Sequence, residues 1–192
     1  MFISWILALL AATSGAPASR LADIGPAPHT VLVDSSEKTF DLEKLRGKIV
    51  LVSFVYTTCN GVCPVTTQAL GRVQKKLEEA KLWGKSVEFV SITLDPKRDT
   101  AGVLRNYAKL WGADSPGWHF LTGAPDDVSK VVTAWDMWVK SDAQGVLDHP
   151  SRIFLIDGRG HEREIYNLEF LKPETVLEDV RDLLKEPSAK RL

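Results

Sequence analysis

The chain has 192 residues, enough for one compact domain with a sizeable core and too few for two ordinary ones. Its 24 Lys and Arg against 25 Asp and Glu leave a formal charge of −1, which gives no basis for binding nucleic acid or for a strongly basic membrane-surface role. A hydrophobic content of 44% excludes a disordered chain, and two cysteines are too few for a disulfide-dense scaffold or an all-thiolate zinc site.

Residues 2–12 form an uncharged apolar run, short of the ~20 residues that span a bilayer. Ala16-Pro17-Ala18 behind it has the small-x-small form of a secretory cleavage site. Residues 1–18 are therefore expected to be a signal peptide, and the rest of the chain to be exported, to the periplasm or the outer face of the inner membrane. Export places the cysteines in an oxidising compartment, where a disulfide is their default state. Residues 19–30, rich in proline, read as a leader.

Residues 31–40 alternate loosely and suggest a hairpin. Residues 48–56 (KIVLVSFVY) are β-branched and aromatic, as in a buried strand. Apolar residues at 65, 69, 73, 77 and 80 predict an amphipathic helix. Residues 87–94 read as a second buried strand, and residues 103–111 and 128–139 as two further helices. A short strand at Ile153–Ile156 is closed by the turn Asp157-Gly158-Arg159-Gly160, with residues 164–167 returning beside it. Pro173 suits a first helical turn, and Val176, Leu177, Val180, Leu183 and Leu184 line the last helix. From Glu186 the chain reads as a polar, frayed tail. The order is that of an α/β fold with a mixed central sheet flanked by helices, its opening β-α-β unit a right-handed crossover.

Both cysteines lie in Tyr56-Thr57-Thr58-Cys59-Asn60-Gly61-Val62-Cys63-Pro64, where the first buried strand hands over to the first helix. The carboxyl end of a central strand is where open α/β sheets place their sites. Pro64 suits a first helical turn, which sets both thiols at or just before a helix N-terminus. The partial positive charge there is expected to lower their pKa. Three residues separate the sulfurs, against two in thioredoxin-type oxidoreductases. The extra residue makes room for a metal without forbidding a disulfide, and two thiolates suit Cu(I). A structural disulfide, a redox pair with Cys59 attacking and Cys63 resolving, and a metal site all stand open on these residues alone.

This segment resembles the SCO/SenC family of copper proteins. Three further segments carry the resemblance: Asp95-Pro96-Lys97-Arg98-Asp99-Thr100, Trp118-His119-Phe120-Leu121-Thr122-Gly123, and Asp148-His149 followed by Ile153-Phe154-Leu155-Ile156-Asp157. The likeness covers about residues 26 to 185. It implies a thioredoxin-like fold over residues 31–185, with a tail at 186–192. It also implies a copper metallochaperone that delivers Cu(I) or Cu(II) to the dinuclear copper site of cytochrome c oxidase. Carried over position by position, its metal ligands are Cys59, Cys63 and His149. The implied partners are the copper-accepting oxidase subunit and a thiol reductant or copper donor protein. Asn60-Gly61 stands where the family usually has Pro-Asp, and Pro150 where a small polar residue is common.

Asp148 is a candidate to orient the imidazole. Asp95, Arg98 and Asp99 read as a turn and helix cap, with Asp99 the N-cap, or as part of a docking surface. His29 falls in the leader, His119 reads as a half-buried packing residue, His161 as solvated, and Met137 as core. The tryptophans at 83, 111, 118, 135 and 138 suit either core or docking. The chain carries no Gly-rich phosphate loop and no G-x-S-x-G elbow. A metallochaperone is thus the leading expectation. A thiol-disulfide oxidoreductase acting on an exported protein is the alternative, and a redox or copper sensor has no separate feature.

Overall fold

The computed structural model describes residues 19–59, 61–143 and 145–186. The expected signal peptide lies outside them, as does the tail beyond Glu186. In chain order the strands and helices are β1 (Gly25–Pro26), β2 (Val31–Asp34), β3 (Thr39–Asp41), β4 (Ile49–Val55), α1 (Val62–Glu79), β5 (Val87–Thr93) and α2 (Ala101–Leu110). Then follow β6 (Trp118–Thr122), α3 (Pro125–Ala134), β7 (Lys140–Ser141), β8 (Leu147–Asp148), β9 (Ile153–Ile156), β10 (His161–Tyr166) and α4 (Pro173–Leu183).

Among the described residues eight strands form one sheet, in the order β1-β10-β9-β4-β5-β6-β2-β3. Every residue of β4 and β5 is buried, which is what an unbroken β-branched and aromatic run in a doubly covered sheet requires. β4, β5 and β6 are parallel, while β9 runs antiparallel to β4. This polarity sets the position of the site. β4 ends at Val55, and its register pairs Ser53 with Ile153, the first residue of β9. The residues just after β4 and those just before β9 therefore leave the sheet side by side. No described helix is long and apolar enough to cross a membrane.

Several elements depart from the sequence expectation. β6 is a full strand between α2 and α3, in a segment for which no strand was predicted. Its His119 interrupts an apolar run and, as expected, is half-buried, packed on the Phe40 ring with centroids 4.7 Å apart and bonded to Glu88, Nε2 to Oε2 2.7 Å. The third helix ends at Ala134, although the apolar spacing continues to Val139. Asp136 takes a left-handed φ of 50° and the Met137 N–H returns to the Val132 carbonyl, which stops the helix. The small pair β7–β8 was not foreseen, and it forms a sheet of its own. The leader is docked: β1 pairs with β10, and Leu21 and Thr30 are buried. Glu186, expected to begin the loose tail, is instead ion-paired to the buried Arg163.

Candidate metal centre

Cys59 sits on the turn that leaves β4, its N–H bonded to the Tyr56 carbonyl at 3.2 Å. α1 starts three residues before the predicted position, so Cys63 lies inside its first turn. The N-cap, Gly61, has no side chain to accept the first free N–H groups. The Cys59 sulfur does so instead: the Cys63 N–H donates to Sγ at 3.4 Å. Behind Cys63, the Thr67 hydroxyl donates to the Cys63 carbonyl at 3.0 Å and meets the Tyr107 hydroxyl at 2.9 Å.

The two thiols are chemically unequal, and only one follows the expected lowering. Both are free, with Cys59 half-buried and Cys63 1% exposed. Burial raises the Cys59 pKa, but hydrogen bonds from the Cys63 and Gly61 N–H groups and from the Cys63 and Tyr56 side chains outweigh it, and the net shift is downward. At Cys63 burial dominates, and the thiol is pushed up to about 12. Cys59 is thus the more acidic of the two thiols, and Cys63 is held protonated.

His149 comes to Cys63 from 86 residues away, its Nε2 lying 3.7 Å from Sγ. Its Nδ1 lies 2.9 Å from the Pro150 carbonyl oxygen. A carbonyl only accepts, so Nδ1 carries the proton and Nε2 presents its lone pair to the sulfur. Asp148 stands exposed on β8, and the Pro150 carbonyl fills the orienting role expected of it. The Tyr56 ring lies edge-on to the imidazole, centroids 5.9 Å apart, and its hydroxyl donates to the Leu147 carbonyl at 3.1 Å. Burial pushes the Tyr56 phenol up to about 12, so it stays a donor at neutral pH. Tyr56, Cys59, Leu147 and His149 face a cleft of about 270 Å³.

The segment after β5 braces both sides of the cleft, a role that sequence reasoning missed. Asp99 is not the helix cap. Thr100 caps α2, accepting from the Val103 N–H at 3.4 Å. Asp99 turns inward and is fully buried, accepting from the Thr57 N–H at 3.2 Å and the Thr93 hydroxyl at 2.6 Å. Arg98 is ion-paired to Asp95 and donates to the Gly145 carbonyl at 3.1 Å. The other histidines have distant roles. His29 is exposed, His119 pairs with Glu88, and His161 pairs with Asp23 at 2.8 Å. Met137, Trp118 and Trp135 are core, and Trp138 is exposed.

For a filled-shell ion such as zinc, bonds of ~2.3 Å to sulfur and ~2.0 Å to nitrogen place two ligands of one metal about as far apart as Cys63 Sγ and His149 Nε2 are here. Among the described residues no three His, Cys, Asp or Glu side chains are already set around one point. A three-donor cage with Cys59 therefore calls for a small movement of that side chain or of the His149 segment.

A family model described as SCO1/SenC matches residues 26–185. The chain is similar to an SCO2-like protein of Rickettsia prowazekii, 29% identical over 144 residues, which are 72% of this chain and 67% of that protein. Among solved structures it is similar to a SCO1/SenC family lipoprotein of Bacillus anthracis, with a TM-score of 0.79 and 25% identity over 88% of this chain and 99% of that one. It is also similar to ScoI of Bradyrhizobium japonicum, solved with copper bound, with a TM-score of 0.69 and 28% identity over 84% and 99% of the two chains.

Proposed function

The chain belongs to the SCO1/SenC family and shares its thioredoxin-like fold, and from that premise we propose that it is a copper metallochaperone serving cytochrome c oxidase. Its cargo is one copper ion, held by Cys59 Sγ, Cys63 Sγ and His149 Nε2. Two soft sulfurs favour Cu(I), and one imidazole makes Cu(II) tolerable. Handover to the dinuclear copper site proceeds by ligand exchange: sulfurs of the acceptor subunit replace Cys59, Cys63 and His149 one at a time. The less buried, more acidic Cys59 is suited to leave or join first. The apolar run at residues 2–12, with Ala16-Pro17-Ala18 behind it, supports work outside the cytoplasm.

One observation carries this reading: the approach of His149 Nε2 to Cys63 Sγ at 3.7 Å, with Nδ1 already engaged by Pro150. The copper-bound relative from Bradyrhizobium supports the choice of metal. The test is Cu(I) retention by the reduced protein against a competing chelator, for wild type and His149→Ala. Wild type is expected to hold Cu(I) at least tenfold more tightly, a ratio of ~1.4 kcal/mol or more. Equal, weak retention in both proteins would overturn the donor assignment.

The inequality of the two thiols favours a second reading, a thiol-disulfide oxidoreductase. There Cys59 attacks a substrate disulfide, and Cys63 then displaces the substrate thiol, leaving a Cys59–Cys63 disulfide. That activity survives His149→Ala and is lost with either cysteine, so the same variants separate the two readings.

A further inference from the structure

We propose that Tyr56 and Arg98 are positioning residues that together latch the β7–β8 hairpin, and with it His149, over the cysteines. The proposal rests on the reading of His149 as a copper donor. The hairpin has no ladder with the main sheet, and its strands are two residues each. Two such strands do not hold a fixed position by themselves. Their place is set by side chains that reach them from elsewhere.

Two donors do so from separate loops at the carboxyl ends of the central strands β4 and β5. Tyr56, at the end of β4, donates to the Leu147 carbonyl, and Arg98, in the turn after β5, donates to the Gly145 carbonyl, each at 3.1 Å. Both donors are braced. Tyr56 is buried, and its ring edge meets the imidazole it helps to place. The Arg98 Nε is paired with Asp95, whose own N–H is bonded to Thr93 at 2.9 Å. At Gly145 a φ of 80° favours glycine and turns the carbonyl toward the guanidinium.

The latched position brings Nε2 to Cys63 Sγ. With the latch open, the site keeps two sulfurs and loses its nitrogen, which weakens its hold on the ion at the moment of transfer. Tyr56 is the stronger arm because its bond is partly buried, while Arg98 is half exposed and its bond competes with water.

The test uses the full chain, reduced and metal-free, as wild type, Tyr56→Phe and Arg98→Gln. Tyr56→Phe removes one oxygen and keeps the ring. Amide hydrogen exchange over residues 145–149 is expected to quicken about five- to tenfold in Tyr56→Phe and less in Arg98→Gln. Cu(I) retention against a chelator is expected to fall in both variants. Arg98→Gln is expected to add no loss in a His149→Ala background, because the Arg98 hydrogen bonds reach neither sulfur. Unchanged exchange overturns the latch. So does faster exchange with intact Cu(I) retention, or an Arg98→Gln loss that persists without His149. Should His149→Ala itself retain Cu(I) as wild type does, the donor reading fails, and the exchange rates alone decide the latch.

Discussion

At Cys59 and Cys63 the same helix end produces two opposite outcomes. Both sulfurs lie near free N–H groups, but only Cys59 accepts them with part of its surface in water. Cys63 is enclosed by α1 and the His149 segment, and desolvation overrides the helix field. Iodoacetamide is therefore expected to modify Cys59 well before Cys63 in the reduced protein, as peptide mass mapping will read. Because the Cys59 pKa is lowered, its alkylation rate should rise at a lower pH in the folded protein than in the urea-unfolded chain. Equal labelling of both cysteines would contradict the asymmetry. The cysteine spacing was legible because neighbours in sequence are neighbours in space. Tyr56 and Arg98 were not, because each donates to a backbone carbonyl, and a carbonyl leaves no trace in the residue code. Cys63 had a visible signal that pointed the wrong way: the helix start suggested acidity, and only packing shows the burial.

At the scale of elements, the strands read most easily were those buried on both faces. β4 and β5 are predominantly β-branched and aromatic because they are buried throughout, with Glu88 paired to Lys48 and His119 and Ser53 bonded to Ser91. β6 carries a half-buried histidine in its middle, and β7 and β8 are too short to show a period. Their existence depends on neighbours rather than on local preference. The turn into α2 shows how one position in a cap decides the argument. Thr100→Ala removes the cap and is expected to lower stability by about 1 kcal/mol in urea unfolding. Asp99→Ala removes a buried acceptor from the Thr57 N–H, the Thr57 hydroxyl and the Thr93 hydroxyl, and is expected to cost about 2–3 kcal/mol. No loss at Thr100, with a loss of only about 1 kcal/mol at Asp99, would return the capping role to Asp99.

Over the whole molecule the site sits beyond the carboxyl ends of the central strands β4 and β5, and the first and last described segments are clasped elsewhere by Arg163, 4% exposed on β10. Each of its guanidinium N–H groups has an acceptor: the Ala22 and Leu21 carbonyls at 2.8 Å, Asp157 at 2.9 Å, and both oxygens of Glu186 at 2.7 Å. One side chain thus ties the leader, the β9–β10 turn and the end of α4 together. Replacing it by Met leaves Glu186 and Asp157 to share Arg159 as their ion partner and is expected to lower stability by about 2–3 kcal/mol. Arg163 holds the Glu186 carboxyl below its ordinary range. Burial raises Asp157, but the His161 N–H and the Arg159 and Arg163 side chains outweigh it, so its net shift is also downward. A carboxyl whose folded pKa is depressed stabilises the fold above its unfolded value, ~4 for these groups, and that contribution is lost as pH falls through the folded value. Wild-type Tm should therefore hold steady from neutral pH to about pH 5 and drop below it, as these carboxylates take up protons. In Arg163→Met the neutral-pH Tm should be lower and the acid-side drop shallower, because less ion-pair energy is left to lose. A variant with wild-type Tm and the same acid slope would show that the clasp contributes nothing, and that the ends are held by Leu21 and β1 alone.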